Sequence, residues 1–301
     1  MVLTNKLNFV PVTVNHAKLL KRTFETQSYR TCGFTVGSAI MWRKIYNLKI
    51  CEYADTVILC ADYPNEGRCF SIPLGNGDIK SAMLAVYESC RQNGDKCIFS
   101  DVPEGGLELL KEVFGEENCA AVHSDEWDDY VYLADDLSSY AGKKFNGQRN
   151  HVNKFNRLYQ DAQFLPINKD NYDLASHFLR EYITENSDGT LSGEVESCAD
   201  IELMKHYFEL GLHGAILCVD NKIISISVGE QIGDTLFIHI EKGDTKYQGV
   251  YQVMVLRFAQ KYAKNAVYIN REEDDGVEGL RKSKLSYHPV TMIKKYSVEI
   301  K

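Results

Sequence analysis

Apolar positions along the chain recur with two periods, and the change from one to the other marks the elements. Short apolar-rich runs at residues 50–61, 68–73, 96–100 and 130–134 predict strands. Residues 79–91 and 104–114 carry apolar side chains three and four apart and predict helices, the second following Pro103 and ending at Gly115. Between 135 and 159, Phe145, Val152, Phe155 and Tyr159 recur at spacings of seven, three and four, which predicts one long or broken helix with a packed side and a wet side. Beyond residue 161 the pattern gives a short strand at 162–167, helices at 172–183 and 199–210, and three closely spaced strands at 213–220, 222–231 and 235–241. Their separators, Asp220-Asn221 and Gly233-Asp234, are tight-turn residues and predict an antiparallel meander. A loop at 242–248, a helix at 249–264, a strand at 266–270, a short helix at 276–284 and a final strand at 291–300 complete the chain. This order is an α+β layout, and the first half fits it more loosely. The expected architecture is two similar domains, 1–136 and 161–301, joined by the basic helix 137–160.

Composition narrows the class. With 301 residues, 44% of them hydrophobic and 25% charged, the chain is long enough for two sizeable cores. Apolar runs such as 130–134 are far shorter than the roughly 20 residues that a membrane span needs. The N-terminal stretch, with Asn8, Thr13 and His16 among its apolar residues, lacks the apolar core of a signal peptide. A soluble, cytoplasmic protein is expected. The nine cysteines form no C-x-x-C pair, and most sit inside apolar runs such as those around Cys60 and Cys218, so they read as buried thiols. No metal-ligand spacing is present. The eight histidines are scattered; His239 alternates within a strand and His288 precedes Pro289, and both read as structural.

The net charge of −8 conceals a strong segregation. Residues 101–136 hold twelve acids and one base, Lys111, whereas residues 137–160 hold no acid and five bases: Lys143, Lys144, Arg149, Lys154 and Arg157. Tyr140, Phe145, Phe155 and Tyr159 are interleaved with the bases. Such a stretch is either a solvated helix face or a phosphate-contacting surface, since cations beside stacking aromatics suit single-stranded RNA ends. In an acidic protein, a polyanion would bind only at such a patch, with salt weakening it.

Two segments carry candidate chemistry. In IHIEKGDTKYQGVYQVMVLRFAQKY (238–262) a glycine-containing loop enters a helix, and Lys246, Gln248 and Gly249 stand where backbone N–H groups and the helix dipole would hold an anion. A glycine there also serves plain backbone geometry. In YINREEDDGVEGLRKSKLSYHP (268–289) a strand ends at Asn270 and Arg271, four acids follow, and Arg281, Lys282 and Lys284 come next. The dipole of a short helix accounts for Asp274, Asp275, Lys282 and Lys284. It leaves Asn270, Arg271 and Glu272 unexplained, and clustered opposite charges at a strand end can orient an amine and stabilise an oxyanion.

These two segments and GKKFNGQRNHVNKFNRLY (142–159) resemble the phosphatidylglycerol lysyltransferase C-terminal domain family, most closely its soluble, stand-alone bacterial branch. The resemblance covers most of the chain. It implies two tandem GNAT-like (acyl-CoA N-acyltransferase-like) domains, each a mixed, mostly antiparallel sheet flanked by helices. It also implies kinship with the Fem peptidyltransferases, which move amino acids from aminoacyl-tRNA. In those relatives the first unit is largely a scaffold and the second carries the acyl-transfer pocket. This chain departs from the family's wider patterns in two ways. Where a CoA-dependent GNAT protein has Q/R-x-x-G-x-G/A, it has Lys246 through Tyr251, and the bulk of Tyr251 would crowd a pyrophosphate. The membrane-bound lysyltransferases carry a long hydrophobic flippase region that is absent here, which counts against a lipid acceptor.

The expected function is transfer of an activated aminoacyl or acyl group from aminoacyl-tRNA to an amine or hydroxyl acceptor, a small molecule or a lipid. The basic helix would hold the donor. Glu241 or Glu272 would be the base, Arg271 and Lys246 the electrostatic stabilisers, Tyr251 or Tyr287 the proton donor, with Asn270 beside them. Two alternatives stay open: a CoA-dependent N-acyltransferase using acyl-CoA, and a non-enzymatic RNA- or nucleotide-binding protein of the same fold.

Overall fold

The computed structural model describes residues 7–186 and 189–301, which cluster into two compact units. The first comprises the described residues up to Asp129 together with Ile293–Lys301; the second is Tyr130–Met292. The division falls elsewhere than expected: residues 130–160 belong to the second unit, and the C-terminal segment belongs to the first.

The first unit contains strands β1 (Val10–Pro11), β2 (Lys49–Tyr53), β3 (Thr56–Tyr63), β4 (Gly67–Phe70), β5 (Leu74–Gly75), β6 (Cys97–Pro103) and β7 (Cys119–His123). Its helices are α1 (Ala17–Phe24), α2 (Val36–Met41), α3 (Ile79–Asn93) and α4 (Glu104–Phe114). The run expected as one strand at 50–61 is a hairpin. Ala54 and Asp55 turn it with φ of 48° and 58°, a mirror-type turn made without the Gly or Asn that would have marked it. Helix α3 begins where the Asp78 carboxylate accepts from Ser81 N at 3.0 Å and ends at Gly94 in the left-handed region. Six of the nine cysteines are buried, all in this unit, and burial pushes the Cys60 and Cys69 thiols up to about 12, where they are inert at neutral pH.

The second unit contains β8 (Asp129–Leu133), β9 (Gln163–Pro166), β10 (His213–Val219), β11 (Lys222–Ile232), β12 (Thr235–Gly243), β13 (Tyr268–Asn270) and β14 (Thr291–Ile293). Its helices are α5 (Ala134–Ser139), α6 (Asn146–Leu158), α7 (Tyr172–Glu185), α8 (Leu191–Lys205), α9 (Tyr207–Leu210), α10 (Val250–Tyr262) and α11 (Glu278–Leu285). The expected meander is present, with Asp220, Asn221 and Gly233 all at positive φ in its turns. The helix expected at 199–210 starts earlier, at Leu191, because the Thr190 hydroxyl caps it by accepting from Gly193 N at 3.1 Å. The final run, 291–300, is two strands in different sheets: β14 closes the second, and β15 (Lys295–Ile300) joins the first between β6 and β7.

The two sheets repeat one plan. The first runs β1-β2-β3-β4-β6-β15-β7 and the second β9-β10-β11-β12-β13-β8-β14. One pair in each is parallel, β4 with β6 and β12 with β13, and in each case a helix (α3, α10) lies between the parallel strands in the chain. The sixth strand in each order, β15 and β8, comes from a distant part of the chain.

The basic stretch is broken, as its pattern allowed. Tyr140 adopts φ 49° and Gly142 φ 83°, so α5 and α6 are separate. Phe145 and Phe155 are fully buried in the second unit's core with Tyr130, Tyr132, Tyr140, Phe258 and Tyr287, which makes α6 an integral part of that unit rather than a connector. Gly249, at φ 89°, lets α10 begin against α6: a Cβ there would lie 2.6 Å from the His151 carbonyl oxygen. Gly249→Ala is therefore expected to destabilise the second unit by about 2–3 kcal/mol, lowering Tm by roughly 5–10 °C in a thermal melt.

Candidate functional site

Strands β12 and β13 pair only at Thr235, Leu236 and Phe237 with Tyr268, Ile269 and Asn270. Past those residues β12 stays on β11 through Gly243, while the chain leaves β13, so the two strands share no further pairing. The charged residues gather beyond that point.

A β-bulge sets their directions. Val228 faces Ile240 and Gly229 faces Ile238, so His239 is an extra residue on β12. Gly229 makes this approach feasible, since a Cβ there would lie 2.0 Å from the Phe237 carbonyl oxygen. The bulge shifts the alternation, and Glu241 consequently lines the same small cavity as Ile238, three positions earlier. Ser227, Ile269 and Arg271 line it too, closed off by Val255 and Phe258 of α10.

Arg271 is buried and bonds Glu241 through Nη2 to Oε1 at 2.6 Å. Its guanidinium carbon lies 4.5 Å from the centre of the Tyr287 ring and 5.7 Å from that of Tyr132. Its Nε and Nη1 make no hydrogen bond of normal geometry among the described residues, nor does the buried Tyr287 hydroxyl, although that hydroxyl lies near enough to Arg271 and Tyr140 for both to act against the rise in its pKa. Burial alone would lower the Arg271 pKa, but the Glu241 carboxylate outweighs it and holds the guanidinium charged. Burial raises the Tyr287 hydroxyl well above its ordinary range, so it stays protonated.

Glu272 follows in the left-handed region (φ 57°), its N–H donating to Asn270 Oδ1 at 2.7 Å. Buried Asn270 thus holds the turn that presents Glu272. The Glu272 Oε1 lies 2.7 Å from His239 Nδ1, and Glu230 Oε1 lies 3.0 Å from Nε2. Burial would favour a neutral ring, yet the two carboxylates prevail and carry the His239 pKa up to about 10. Between unfolded and folded values, that pair of contacts stabilises the fold fully below about pH 6.5 and is lost as pH rises toward 10. Unfolding free energy is accordingly expected to fall by on the order of 3 kcal/mol between pH 6.5 and 10, and His239→Gln should remove most of that dependence in urea titrations. Lys284, which sequence placed at a helix C-terminus for its dipole, is instead buried, and its Nζ donates to the carbonyls of Arg271 (2.6 Å), Glu272 (3.2 Å) and Glu273. It fastens the loop that carries the charged pair.

A second ion pair extends the cluster along β12. Lys242 Nζ lies 2.6 Å from Glu196 Oε1 and 3.4 Å from Asp200 Oδ2 on α8. Burial raises the Asp200 pKa to about 7, with Lys242 opposing. The Tyr251 side chain turns back toward the strand end, where its hydroxyl accepts from Gly243 N at 3.2 Å and lies 3.4 Å from the Tyr182 hydroxyl. Lys246 and Gln248 are exposed on the loop before α10, whose turn is fixed by Lys246 N donating to Asp244 Oδ1 at 3.0 Å. They are not gathered with Glu241 and Arg271.

The five basic residues divide. Arg149 is half-buried and donates to the carbonyls of Tyr140 and Gly142 and to Asn146, fastening the break between α5 and α6. Lys144 pairs with Asp136 at 2.8 Å. Lys143, Lys154 and Arg157 are exposed and form no ion pair among the described residues. The structure adds Glu230, Lys242, Asp200 and Tyr132, which sequence reasoning did not single out, and brings in His239, which it read as structural. Only the Glu230–Phe237 pairing across the Gly233-Asp234 turn could have placed Glu230 near His239 beforehand.

The comparisons agree with this architecture. The profile of "Phosphatidylglycerol lysyltransferase, C-terminal" matches residues 25–299. A conserved protein of unknown function from Bacteroides thetaiotaomicron is 30% identical, with a TM-score of 0.93 covering 98% of this chain and all of that one. The L-PGS structure from Bacillus licheniformis shares the fold at 14% identity and a TM-score of 0.65, over 94% of this chain and 91% of that chain. The two-unit plan is that of FemX (TM-score 0.63, 10% identity, 98% and 97% covered) and of a tandem GNAT protein from the clavulanic acid biosynthesis pathway (0.50, 10%, 97% and 98%). A curated Mycoplasmoides gallisepticum protein, described as uncharacterized, is 26% identical over 173 residues; the match spans 57% of this chain and 56% of that protein, so the chain spans about half the length of the curated relative it matches. Each unit is a GNAT-like fold. No helix among the described residues is long and apolar enough to cross a membrane.

Proposed function

The chain belongs to the phosphatidylglycerol lysyltransferase C-terminal family, and from that premise we propose that its second unit transfers an aminoacyl group from aminoacyl-tRNA to an amine or hydroxyl acceptor. The observation that carries the reading is buried Arg271, fixed by Glu241 on one nitrogen and left with Nε and Nη1 unpartnered beside an internal cavity. Two such N–H groups in a dry site are suited to an oxyanion. Glu272, less buried than Glu241, acts as base: it takes a proton from the acceptor as the acceptor's lone pair adds to the ester carbonyl carbon. The carbonyl electron pair moves to oxygen against Arg271. Collapse expels the terminal ribose oxygen of the tRNA, which recovers the proton. Glu241 keeps the guanidinium charged and oriented, and Tyr287 packs beneath it.

Lys143, Lys154 and Arg157 supply the surface for tRNA phosphates. Reversing all three to Glu should weaken tRNA binding at least tenfold and lower the slope of log K against log salt by about 2, measured by filter binding. Unchanged affinity would place the RNA site elsewhere; Arg149 is excluded from the variant because it holds the chain break together. Acetyl-CoA is expected not to bind at millimolar concentration in a calorimetric titration, because Tyr251 fills the ground between the loop and Gly243. Saturable micromolar binding would favour the CoA-dependent reading.

A further inference from the structure

The acids between residues 116 and 126 have no part in the transfer site, and they flank an unusual sheet edge. Strand β7 is the last of the first sheet, and among the described residues no strand pairs with its outer side. Other edges are short or blunted: β1 has two residues and ends in Pro11, β14 has three, and β9 ends in Pro166. β7 has five residues, Cys119, Ala120, Ala121, Val122 and His123, with no proline, lysine or carboxylate among them. Ala120 and Ala121 are exposed, and Val122 is 59% exposed. Asn118 O accepts from Lys301 N at 3.0 Å on the β15 side. By the alternation of an antiparallel ladder, Cys119, Ala121 and His123 then direct their backbone groups outward.

Carboxylates stand at both ends of this edge. Glu116 and Glu117 precede it, Asp125 and Glu126 follow it, and all four are exposed. The Glu116 and Asp125 side chains are 83% and 85% exposed, each with only a distant partner, Lys111 at 3.7 Å and His123 at 4.0 Å. These charges decide what can add to the edge. Two copies pairing antiparallel about Ala121 would oppose Glu117 to Asp125 and Glu116 to Glu126, and parallel pairing would align each acid with itself. Either arrangement sets like charges side by side.

We propose that β7 is a docking edge for an extended segment of another protein, about five small or apolar residues flanked at both ends by Lys or Arg, which adds a strand to the first sheet. Main-chain hydrogen bonds supply the affinity and the four carboxylates the register and selectivity.

The probe is a synthetic peptide of alternating valine and threonine with two lysines at each end; the control carries glutamates instead. Calorimetric titration of the whole chain should give a Kd on the order of 10 μM for the lysine peptide and none measurable for the control. Hydrogen exchange at residues 119–123 should slow on binding. Ala121→Pro, which removes an outward N–H, should abolish binding. The exposed double variant Glu117→Lys/Asp125→Lys should weaken the lysine peptide at least tenfold and admit the glutamate peptide, an answer that stands even if the proline variant does not fold. Three results overturn the proposal: no binding at millimolar peptide, binding without slowed exchange at the edge, or a double variant with unaltered preference.

Discussion

Arg271→Met is expected to lower kcat for aminoacyl transfer by roughly two to three orders of magnitude, the loss usual when an oxyanion's donor is removed. The same substitution leaves Glu241 half-enclosed without its partner, and breaking a buried pair in this way costs about 3–5 kcal/mol. Activity could therefore fall for two reasons. The double variant Arg271→Met/Glu241→Gln separates them. With the uncompensated carboxylate gone, most of the stability should return, measured as the midpoint of urea unfolding, while turnover stays at the level of the single variant. If turnover returned with stability, Arg271 would be part of the fold only.

Glu272→Gln is the second large effect. The amide retains an oxygen for His239 Nδ1 but loses the carboxylate's charge, so the fold should lose on the order of 1–2 kcal/mol near neutral pH and remain folded. Loss of the base should still reduce kcat by about 100-fold or more, with KM for the donor altered only a few-fold. A full-rate Glu272→Gln enzyme would transfer the base to Glu241. Full rates in both Glu272→Gln and Glu241→Gln would leave the transfer without a carboxylate base.

Much of the second unit is legible in the chain, because its signals are local. The meander turns sit at Asp220-Asn221 and Gly233, and α10 begins after Gly249 as the glycine before an apolar period indicates. Arg271 and Glu272 stood out as charges at a strand end that no helix dipole explains, and the structure brings Arg271 to Glu241. What was not legible depends on pairings between distant segments. The exchange that puts β8 beside β13 and β15 beside β6 gives no periodic signal. Nor does the bulge at His239, which requires Gly229 on the neighbouring strand and which turns Glu241 toward the cavity. Lys284 resembled an ordinary helix-end cation; only the carbonyls of 271–273 converging on it reveal its place. The hairpin at Ala54-Asp55 was hidden because alanine rarely adopts positive φ and the pair lacks the Gly or Asn that marks such a turn.

The measurement that tests the central claim most directly is label transfer. Purified chain is incubated with tRNA charged with radiolabelled amino acids, together with small-molecule and lipid extracts as acceptors, and the tRNA-free products are resolved. The account predicts label in a new product with the native chain and none with Arg271→Met/Glu241→Gln. Label that remains on tRNA or is released only as free amino acid, at rates equal in both proteins, would contradict it.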